Sequence, residues 1–519
     1  MSQSSKGVPG STHDGVRPGE DVDILVIGAG LSGIGAARHL TAAFPGSSYV
    51  LLESREAIGG TWDLFRYPGV RSDSDMITLG YSFKPWTDPV TMADGPSILS
   101  YVREAAEEAG IDRHIRFRHR VVSMDWSSAD ARWTVVAERT DTGDQVVFRA
   151  GWVMGCTGYY RYDEGYTPEF EGREDFRGEI VHPQHWPEDL DYAGKRVVVI
   201  GSGATAVTLV PAMADDAAHV TMLQRSPTYI VSLPQQDPLM TSRLARALPD
   251  GLVYRVTRAK NIAQHVATYQ LSQRRPGLVR RLIRAATKKQ LPEHVDVDVH
   301  FNPRYDQWDQ RLCVVPRGDL FRAIRKGQAS VVTDRIARFD ATGIQLESGD
   351  HLDADVIVTA TGLNLLPVGG ITMCVDGEEV HLPDTMAYRG LMLSGVPNFA
   401  LILGYTNASW TLKADLVCEY VVRVLRHMKA TGQRVCVPVR DPDVGEEPFL
   451  DFAAGYVLRS LHEFPQQGTR EPWKLRQNYY RDALSLRRGE VDDGSLRFGN
   501  PPGPLGSEEE PPTLTRSGA

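Results

Sequence analysis

Two glycine-rich turns carry the residue types that bind dinucleotide phosphates. The first is Gly28-Ala29-Gly30-Leu31-Ser32-Gly33, directly after the apolar run 23–27, and the second, about 170 residues later, is Gly201-Ser202-Gly203-Ala204-Thr205-Ala206, directly after residues 196–200. A strand that enters such a turn and leaves it as a helix presents free backbone N–H groups and the positive end of the helix dipole to a pyrophosphate. Two turns of this kind predict two dinucleotides that meet in one site.

The residues that follow each turn indicate which dinucleotide it binds. The strand after the first turn ends at Glu53, whose carboxylate can accept hydrogen bonds from ribose hydroxyls and would repel a 2′-phosphate. The strand after the second turn ends at Gln224 and Arg225, where the acid is missing and a guanidinium can bind a 2′-phosphate. We therefore assign FAD to the first turn and NADPH to the second. For either turn alone, a purely structural glycine turn is the alternative.

Length and composition are typical of a globular enzyme with several domains. The chain has 519 residues, 42% hydrophobic and 24% charged, with no run of 18 apolar residues that could span a membrane. Residues 1–20 and 500–519 are polar and rich in Gly, Pro, Ser or Glu, and we expect both to be disordered tails. The five cysteines form no CxxC pair, which argues against a disulfide framework or a zinc site and favours a cytoplasmic protein.

The net charge of −9 is unevenly distributed along the chain. Residues 241–290 contain 12 Lys or Arg and one acid, Asp250, so the remaining residues contain 45 bases and 65 acids. Such a basic segment could contact a membrane surface or nucleic acid. The simpler interpretation is a solvated helical face beside a phosphate-bearing cofactor, with no nucleic-acid partner and at most a peripheral membrane contact.

The elements that position the two turns alternate between strand and helix, as in α/β proteins. A βαβ pattern runs from residue 21 to about 60, and a second covers about 167–228. The apolar runs 152–158 and 355–362 each end in a small-residue turn. We interpret residues of about 158–166 and 355–362 as the entry to and the exit from a domain inserted into the first. The predicted FAD-binding domain is 21–160 and 362–499, the NADP-binding domain is 166–228 and 311–355, and a helical insertion covers 229–310.

Two further motifs are found in a known enzyme family. One is Phe176-Arg177-Gly178-Glu179-Ile180-Val181-His182-Pro183-Gln184-His185-Trp186-Pro187, of the form FxGxxxHxxxWP, and the other is Gly59-Gly60-Thr61-Trp62, which continues into residues 66–73. Together with both glycine turns, these motifs resemble those of the class B flavoprotein monooxygenases. The tryptophan of the first motif, Trp186, makes that motif similar to the one in the Baeyer–Villiger members of the family. The resemblance covers about residues 21–498, and the stretches 62–69, 308–313 and 405–416 resemble one subgroup of the family.

The resemblance implies both a fold and an activity. The fold would be α/β with two glutathione-reductase-like, Rossmann-type domains, the NADP-binding domain being inserted in the FAD-binding domain. In that family NADPH reduces FAD, and a C4a-peroxyflavin inserts one oxygen atom into a ketone or oxygenates a sulfide or thioamide. We expect a small ketone or organosulfur substrate together with O2, and the pattern leaves a homo-oligomer open. The alternatives are an S- or N-oxygenating enzyme with little ketone activity, an NADPH oxidase or reductase, and an inactive flavin-binding module.

Site residues also follow from the resemblance. Arg311 matches an arginine that reaches the flavin ring in that family, and Asp73 matches its carboxylate partner. A fixed guanidinium in a dry pocket can stabilise developing negative charge by about 3–4 kcal/mol. The alternative is that Arg311 and Asp73 are ordinary charged residues on the surface. The expected FAD-binding residues are Gly28, Gly30, Ser32, Gly33, Glu53, Thr61, Trp62, Asp63, Leu64, Arg71, Ser72, Asp73 and Val121. The expected NADPH-binding residues are Gly201, Ser202, Gly203, Ala204, Thr205, Ala206, Val207, Gln224 and Arg225.

Two further residues and one helix give additional expectations about the site. Many members of the family have a lysine before the arginine, where this chain has Gln310, so Arg225 should be the main phosphate anchor. His182 is a candidate for acid–base chemistry, but in the family its motif lies along the interdomain linker, and we expect a hinge or structural role. A helix from Thr411 to about Met428 should follow residues 407–410, and its N-terminus either faces the flavin or is an ordinary capped end in the core.

Overall fold

Two large sheets dominate the computed structural model, which describes residues 16–243, 245–310, 312–450 and 454–501. In each sheet a glycine turn follows a strand in the middle of the parallel part. These two strands are Val16–Ile27 and Arg196–Ile200. The positions of both turns place their backbones at the carboxyl ends of parallel strands, where α/β proteins bind their ligands.

The first sheet has nine strands and contains the first glycine turn. Its parallel part around the first glycine turn has the order Ile115–Arg116, Tyr49–Leu52, Val16–Ile27, Gln145–Gly155 and Phe399–Leu401. The sheet continues from Gln145–Gly155 through Arg132–Arg139, His119–Ser127, Thr372–Val375 and Glu378–Glu379.

Both faces of this sheet are covered. Ile24 and Val26 pack in one apolar core, together with residues of the helices Leu31–Ala43, Gly95–Glu108 and Trp410–Thr431. Leu25 and Ile27 point to the opposite face and pack in a second core. This alternation explains the continuous apolar sequence, because a parallel strand is buried on both sides.

The second sheet has five strands, all parallel. Their order is Ala329–Thr333, His219–Gln224, Arg196–Ile200, Val356–Thr359 and Glu179–Val181. On one face lie the helices Ala204–Met213 and Asp319–Arg325, and on the other lies an antiparallel sheet of Ile336–Asp340, Gly343–Leu346 and His351–Asp353.

The chain passes between the two sheets twice, and the two crossings pair with each other. Tyr160–Gly165 leaves the first sheet, Leu363–Leu365 returns to it, and the two strands are antiparallel partners. All strands of the second sheet lie between these crossings in sequence. The predicted fold class, two α/β domains with one inserted in the other, is therefore confirmed.

The predicted helical insertion contains more than helices. Residues 229–310 include the helices Asp250–Arg274, Pro276–Lys288 and Val297–His300. They also include the strand Ile230–Leu233, which pairs in parallel with Cys313–Pro316. Its partner is about 80 residues away, so no local pattern identified this short strand.

The first strand begins earlier than expected, so the prediction of a disordered tail over 1–20 is wrong for residues 16–20. The backbones of Val16 and Arg17 pair with Gln145 and Val146 of the neighbouring strand. The composition around Pro18 and Gly19 is unfavourable for a strand, but pairing with a long neighbour supplies the backbone partners. Residues 1–15 and 502–519 of the predicted tails lie outside the described residues.

The remaining elements are short. The helices are Thr61–Leu64, Met76–Leu79, Gly455–Ser460 and Tyr479–Arg488. Paired strands are Ala387–Tyr388 with Met392–Leu393, Val435–Pro438 with Leu496–Gly499, and Glu446–Pro448 with Gln466–Gly468. Single 3-10 turns lie at Asp112–His114, Arg173–Asp175, Pro183–His185, Ala245–Ala247, Pro367–Gly370, Leu382–Asp384 and Leu461–Glu463. Within the described ranges, no helix combines the length and apolar character needed to cross a membrane.

Candidate functional site

One cavity of about 920 Å³ lies between the two glycine turns. It is bounded by both domains, so ligands bound at the two turns would share it. The structure brings many of the predicted site residues together around it. These are Gly28, Gly30, Ser32, Glu53, Thr61, Trp62, Arg71, Ser72 and Val121 from the first domain, and Gly203, Ala204 and Thr205 from the second.

The first turn has the geometry of a phosphate-binding loop. Gly28 has a φ of +102°, and a Cβ there would lie 2.6 Å from the carbonyl oxygen of Cys156. A Cβ on Gly33 would lie 1.8 Å from the carbonyl oxygen of Gly28, so only glycine allows the helix to approach the strand this closely. Gly30 caps the helix Leu31–Ala43 without a side-chain hydrogen bond. The N–H groups of the first helical turn are therefore suited to an anion.

Glu53 is fixed beside this turn. Its side chain is 5% exposed, and its carboxylate accepts hydrogen bonds from the backbone N–H groups of Ala29 and Arg55, both at 2.8 Å. A carboxylate has about four lone-pair sites, so acceptor capacity is left for a ribose hydroxyl. The position of Glu53 fits the role that the sequence suggested.

The second turn repeats the geometry of the first. Gly201 has a φ of +135°, and a Cβ there would lie 2.3 Å from the carbonyl oxygen of Ala360. Gly203 caps the helix Ala204–Met213 without a side-chain hydrogen bond, and a Cβ on it would meet no atom within 4 Å. The Ser202 hydroxyl does not line the cavity, since it donates to the carbonyl of Ser226 at 3.1 Å. Open space above uncapped N–H groups fits a second pyrophosphate.

Beyond the second turn, the predicted residues separate into exposed and buried ones. Arg225 is exposed at the end of its strand and forms no ion pair with any residue that the structure describes. Gln224 is 2% exposed, and its side-chain amide donates to His300 and Thr333 at 2.8 Å, away from the cavity lining. Two other predicted residues, Ala206 and Val207, are buried in the core of the second domain.

Asp63 is buried next to the residues that line the cavity and is paired with arginines. Asp63 is 3% exposed and binds Arg55 at 2.6 Å and Arg103 at 3.2 Å. It does not line the cavity, and neither does Leu64. Trp62 does line it and packs against the apolar cores of both domains.

Arg71 joins the two domains through an ion pair. Its guanidinium donates to the two carboxylate oxygens of Asp319 at 2.6 and 3.4 Å, and the two side chains are 14% and 16% exposed. Asp319 is the first residue of the helix Asp319–Arg325 in the second domain. Sequence reasoning missed Asp319, which lies 248 positions from its partner and outside every motif.

Two further residues of the same segment dock on the second domain. Gly69 has a φ of +74°, and a Cβ there would lie 2.6 Å from the side chain of Ala212. The buried Tyr67 side chain interacts with Thr205, and burial raises the pKa of Tyr67 to about 12. Both contacts join the first domain to the helix of the second glycine turn. Tyr67 lies inside a recognised motif, which was the available signal for it.

Of the two predicted catalytic residues, Asp73 lies on the segment that lines the cavity. Arg311 lies outside the described residues. Asp73 is half-buried between the cavity residue Ser72 and Ser74, whose backbone N–H donates to the Ser72 hydroxyl at 3.0 Å. The pairing of Asp73 with Arg311 therefore stays a prediction.

His182 lies at the two crossings between the domains. Its Nε2 is 3.3 Å from the carbonyl oxygen of Gly362, and its Nδ1 accepts from the N–H of Gln184 at 3.2 Å. A Cβ on Gly165 would lie 2.1 Å from the ring. Burial lowers the pKa of His182, which favours the neutral ring. This placement supports a structural role rather than proton transfer.

The helix Trp410–Thr431 begins one residue earlier than predicted and has its N-terminus at the cavity. Trp410 and Ala408 line the cavity, and the Trp410 indole donates to the Ser32 hydroxyl at 2.8 Å. The positive end of this helix therefore lies near the first glycine turn. Further aromatic lining residues that sequence reasoning missed are Tyr159, Tyr160, Tyr162, Tyr405 and Tyr456.

Within the part of the chain that the structure describes, the cavity has neither a cluster of metal-ligand side chains nor an exposed cysteine. No group of three His, Cys, Asp or Glu side chains in the described ranges is arranged to hold a metal ion. Cys156 lines the cavity, but burial raises the pKa of its thiol well above the usual value. A buried protonated thiol is unreactive.

Comparisons with known proteins agree on one family. A sequence profile described as flavin-binding monooxygenase-like matches residues 22–366. The FAD-containing monooxygenase EthA of Mycobacterium tuberculosis is 56% identical over 489 residues, which cover 94% of this chain and 99% of that protein. EthA of Mycolicibacterium smegmatis is 54% identical over 481 residues, covering 92% and 97%. These relatives belong to the subgroup that the stretches 62–69, 308–313 and 405–416 resemble.

Solved structures show the same fold at low sequence identity. A steroid monooxygenase bound to NADP has a TM-score of 0.71 at 23% identity and covers 92% of this chain and 100% of its own. A cyclohexanone monooxygenase from Rhodococcus bound to NADP⁺ has a TM-score of 0.70 at 21% identity, covering 92% and 99%. The matched profile and the close relatives establish that the chain belongs to the flavin-binding monooxygenase-like family, as its motifs predicted.

Proposed function

We propose that this protein uses NADPH, O2 and FAD to transfer one oxygen atom either to a small ketone, giving an ester or lactone, or to the sulfur of a sulfide or thioamide. Membership of the family makes it an FAD- and NADP-dependent monooxygenase that acts on a small molecule. The nature of the acceptor goes beyond what family membership shows. The reaction with two cofactors is supported by one cavity that two uncapped helix N-termini share.

Each of the two domains would bind one of the two cofactors. On the FAD side, the N–H groups after Gly30 would hold the pyrophosphate and Glu53 a ribose. On the NADPH side, the N–H groups after Gly203 would hold the pyrophosphate, and the exposed guanidinium of Arg225 would hold the 2′-phosphate. When bound together, the cofactors supply hydride transfer and the activation of O2.

The walls of the cavity would protect the chemistry from water. Trp62, Tyr67 and Trp410 place large rings around it. Exclusion of water prevents activated oxygen from being lost as hydrogen peroxide. The N-terminus of Trp410–Thr431 would stabilise negative charge that develops on the flavin side of the cavity.

Arg311 and Asp73 complete the proposal. Attack on a carbonyl or transfer to sulfur develops negative charge on oxygen, which a guanidinium in a low-dielectric site stabilises. Asp73, half-buried on the cavity segment, would hold that guanidinium in position. Gln310 supplies no charge to the NADPH phosphate, so the preference for NADPH depends on Arg225.

The direct test is a stoichiometry measurement on purified protein loaded with FAD. NADPH loss, O2 uptake, oxygenated product and hydrogen peroxide are followed with cyclohexanone, with an aryl methyl sulfide and without substrate. We expect one product for each NADPH with at least one acceptor, and slow NADPH loss without substrate. Product from the sulfide alone would establish the S-oxygenating alternative. Peroxide formed in proportion to NADPH with every acceptor would show an oxidase and contradict the proposal.

A further inference from the structure

The long helix of the insertion has two unlike faces. Its inner face binds the first domain, because Asn261 donates to the carboxylate of Asp75 and Arg258 donates to the carbonyl of Gly80, both at 3.0 Å. On the opposite face of Asp250–Arg274, Leu252, Val256 and Leu271 are 38%, 49% and 43% exposed. The alanines at 259, 263 and 267 share this face, because they continue the helical spacing of three or four residues.

The next helix repeats this arrangement. In Pro276–Lys288, Val279 and Thr287 are buried, whereas Leu278 and Leu282 are 49% and 58% exposed. Six of the eleven large apolar side chains that the described residues expose lie between positions 248 and 282. Exposed apolar groups are therefore concentrated on this insertion, and such concentrations mark interaction surfaces.

Unpaired cations flank the same exposed positions. Lys260, Arg280 and Arg284 are paired with aspartates. Other cations of the insertion are exposed and form no ion pair with any described residue. These are Arg243, Arg246, Arg255, Arg274, Arg275, Arg281, Lys288 and Lys289. Outside residues 241–290 the chain has 65 acids and 45 bases, so this positive charge is strongly localised.

We propose that the insertion face, defined as the exposed sides of Asp250–Arg274 and Pro276–Lys288, binds the surface of an anionic lipid bilayer. The leucines would enter the boundary between headgroups and acyl chains, while arginine and lysine side chains contact lipid phosphates. Pro276–Lys288 has 13 residues, about 20 Å in length, which is too short to cross a bilayer and suits a helix that lies on it.

Charge and hydrophobicity together select this partner over two others. A second copy of the chain would bring the same positive excess to the face, and like charges oppose that contact. Nucleic acid would satisfy the cations, but it would leave Leu278 and Leu282 without an apolar environment. An anionic membrane supplies partners for both kinds of side chain.

The proposed binding places lipid close to the catalytic cavity. Ile262, on the inner side of Asp250–Arg274, packs with Tyr405 and Leu412, and Tyr405 lines the cavity. The lipid surface and the wall of the cavity would therefore lie on opposite sides of a single helix. Membrane binding itself requires neither NADPH nor a substrate, so it can fail or succeed independently of the oxygenation activity.

The test is co-sedimentation of the full chain, loaded with FAD, with lipid vesicles. We expect binding to phosphatidylcholine vesicles that contain phosphatidylglycerol to be at least about tenfold tighter than to pure phosphatidylcholine, and to weaken with salt. Leu278→Ser/Leu282→Ser should lose at least about tenfold in affinity. Arg281→Gln/Lys288→Gln/Lys289→Gln should lose about fivefold for each cation removed.

A matched control tests whether vesicle binding depends on the leucines of the insertion face or on exposed leucines in general. Leu458 and Leu484 are 56% and 60% exposed outside the insertion, so Leu458→Ser/Leu484→Ser should bind vesicles like the unaltered protein. Far-UV circular dichroism and flavin content show that each variant is folded. Equal binding to neutral vesicles, or insertion variants that bind like the control, would overturn the proposal. The proposal would also be overturned if the unaltered protein bound no vesicles but formed a dimer that Leu278→Ser/Leu282→Ser does not form. Tighter binding of the unaltered protein to DNA than to vesicles would overturn it as well.

Discussion

Replacing Arg71 by methionine should destabilise the protein even without cofactors, because Arg71 forms an interdomain ion pair with Asp319. The side chains are 14% and 16% exposed, and two hydrogen bonds join them at 2.6 and 3.4 Å. Exposed pairs contribute about 0–1 kcal/mol, whereas breaking a fully buried pair costs about 3–5 kcal/mol. For this mostly buried pair we expect a loss of about 2–3 kcal/mol.

The loss should be visible as a shift in thermal unfolding. For a chain of 519 residues, the entropy of unfolding converts 2–3 kcal/mol into a shift of about 2–3 °C. Asp319→Leu should show a similar shift, and Arg71→Met/Asp319→Leu should recover most of it, since no unpaired charge is left. Differential scanning calorimetry of the flavin-free protein measures all three variants.

The control is an ion pair of similar length on the surface. Arg470 and Asp441 are 2.7 Å apart but 56% and 47% exposed, so Arg470→Met should leave the unfolding temperature nearly unchanged. If Arg71→Met unfolds at the temperature of the unaltered protein, or if the effects of the single variants add in the double variant, the reasoning about this pair is refuted. Arg71 would then serve the cofactor alone.

Four further outcomes are expected. Gly33→Ala should lose flavin and misfold, since its Cβ would lie 1.8 Å from the carbonyl oxygen of Gly28, whereas Gly203→Ala should fold, keep FAD and raise the KM for NADPH; flavin absorbance and steady-state kinetics distinguish them. Arg225→Gln should reduce the preference for NADPH over NADH by about 10–100-fold in kcat/KM, because a charged hydrogen bond to the 2′-phosphate is lost. An unchanged ratio of the two kcat/KM values would show that another residue binds this phosphate. Arg311→Ala should retain FAD but form product about 10²–10³-fold more slowly, with NADPH consumed to peroxide; full product formation would remove its assigned role. Burial lowers the pKa of His182 below 6.5, so the folded state binds a proton less readily than the unfolded state, and stability should fall as the pH drops below about 6.5; His182→Gln should show a flatter acid limb in thermal unfolding, and an unchanged limb would exclude this residue as its cause.

The geometry of the first glycine turn depends on residues that are close in sequence. The strand Val16–Ile27 and the helix Leu31–Ala43 place Gly28 and Gly33, and the next strand, Tyr49–Leu52, places Glu53 beside them, so a local sequence pattern can predict this arrangement. The two crossings were also visible as apolar runs that end in small residues. Their pairing as Tyr160–Gly165 with Leu363–Leu365 confirms the insertion of one domain in the other.

Contacts between distant residues could not be read in this way. Asp319 meets Arg71 only because the fold places a helix of the second domain against a loop of the first. Gln224 was expected at a cofactor, but the structure turns its amide toward His300 and Thr333, which the sequence places 76 and 109 positions away. The strand from Val16 to Gly19 has poor strand propensity, and its neighbour Gln145–Gly155 supplies the pairing.

Reduction of the flavin by NADPH in the absence of oxygen tests most directly whether two dinucleotides meet in this cavity. The protein is purified with its flavin, mixed with NADPH under nitrogen and followed by visible absorbance. We expect the yellow colour to bleach, and to return when air and an oxygen acceptor are admitted, with one oxygenated product for each flavin reoxidised. Protein that retains no flavin when FAD is supplied, or a bound flavin that NADPH does not bleach, would contradict the account.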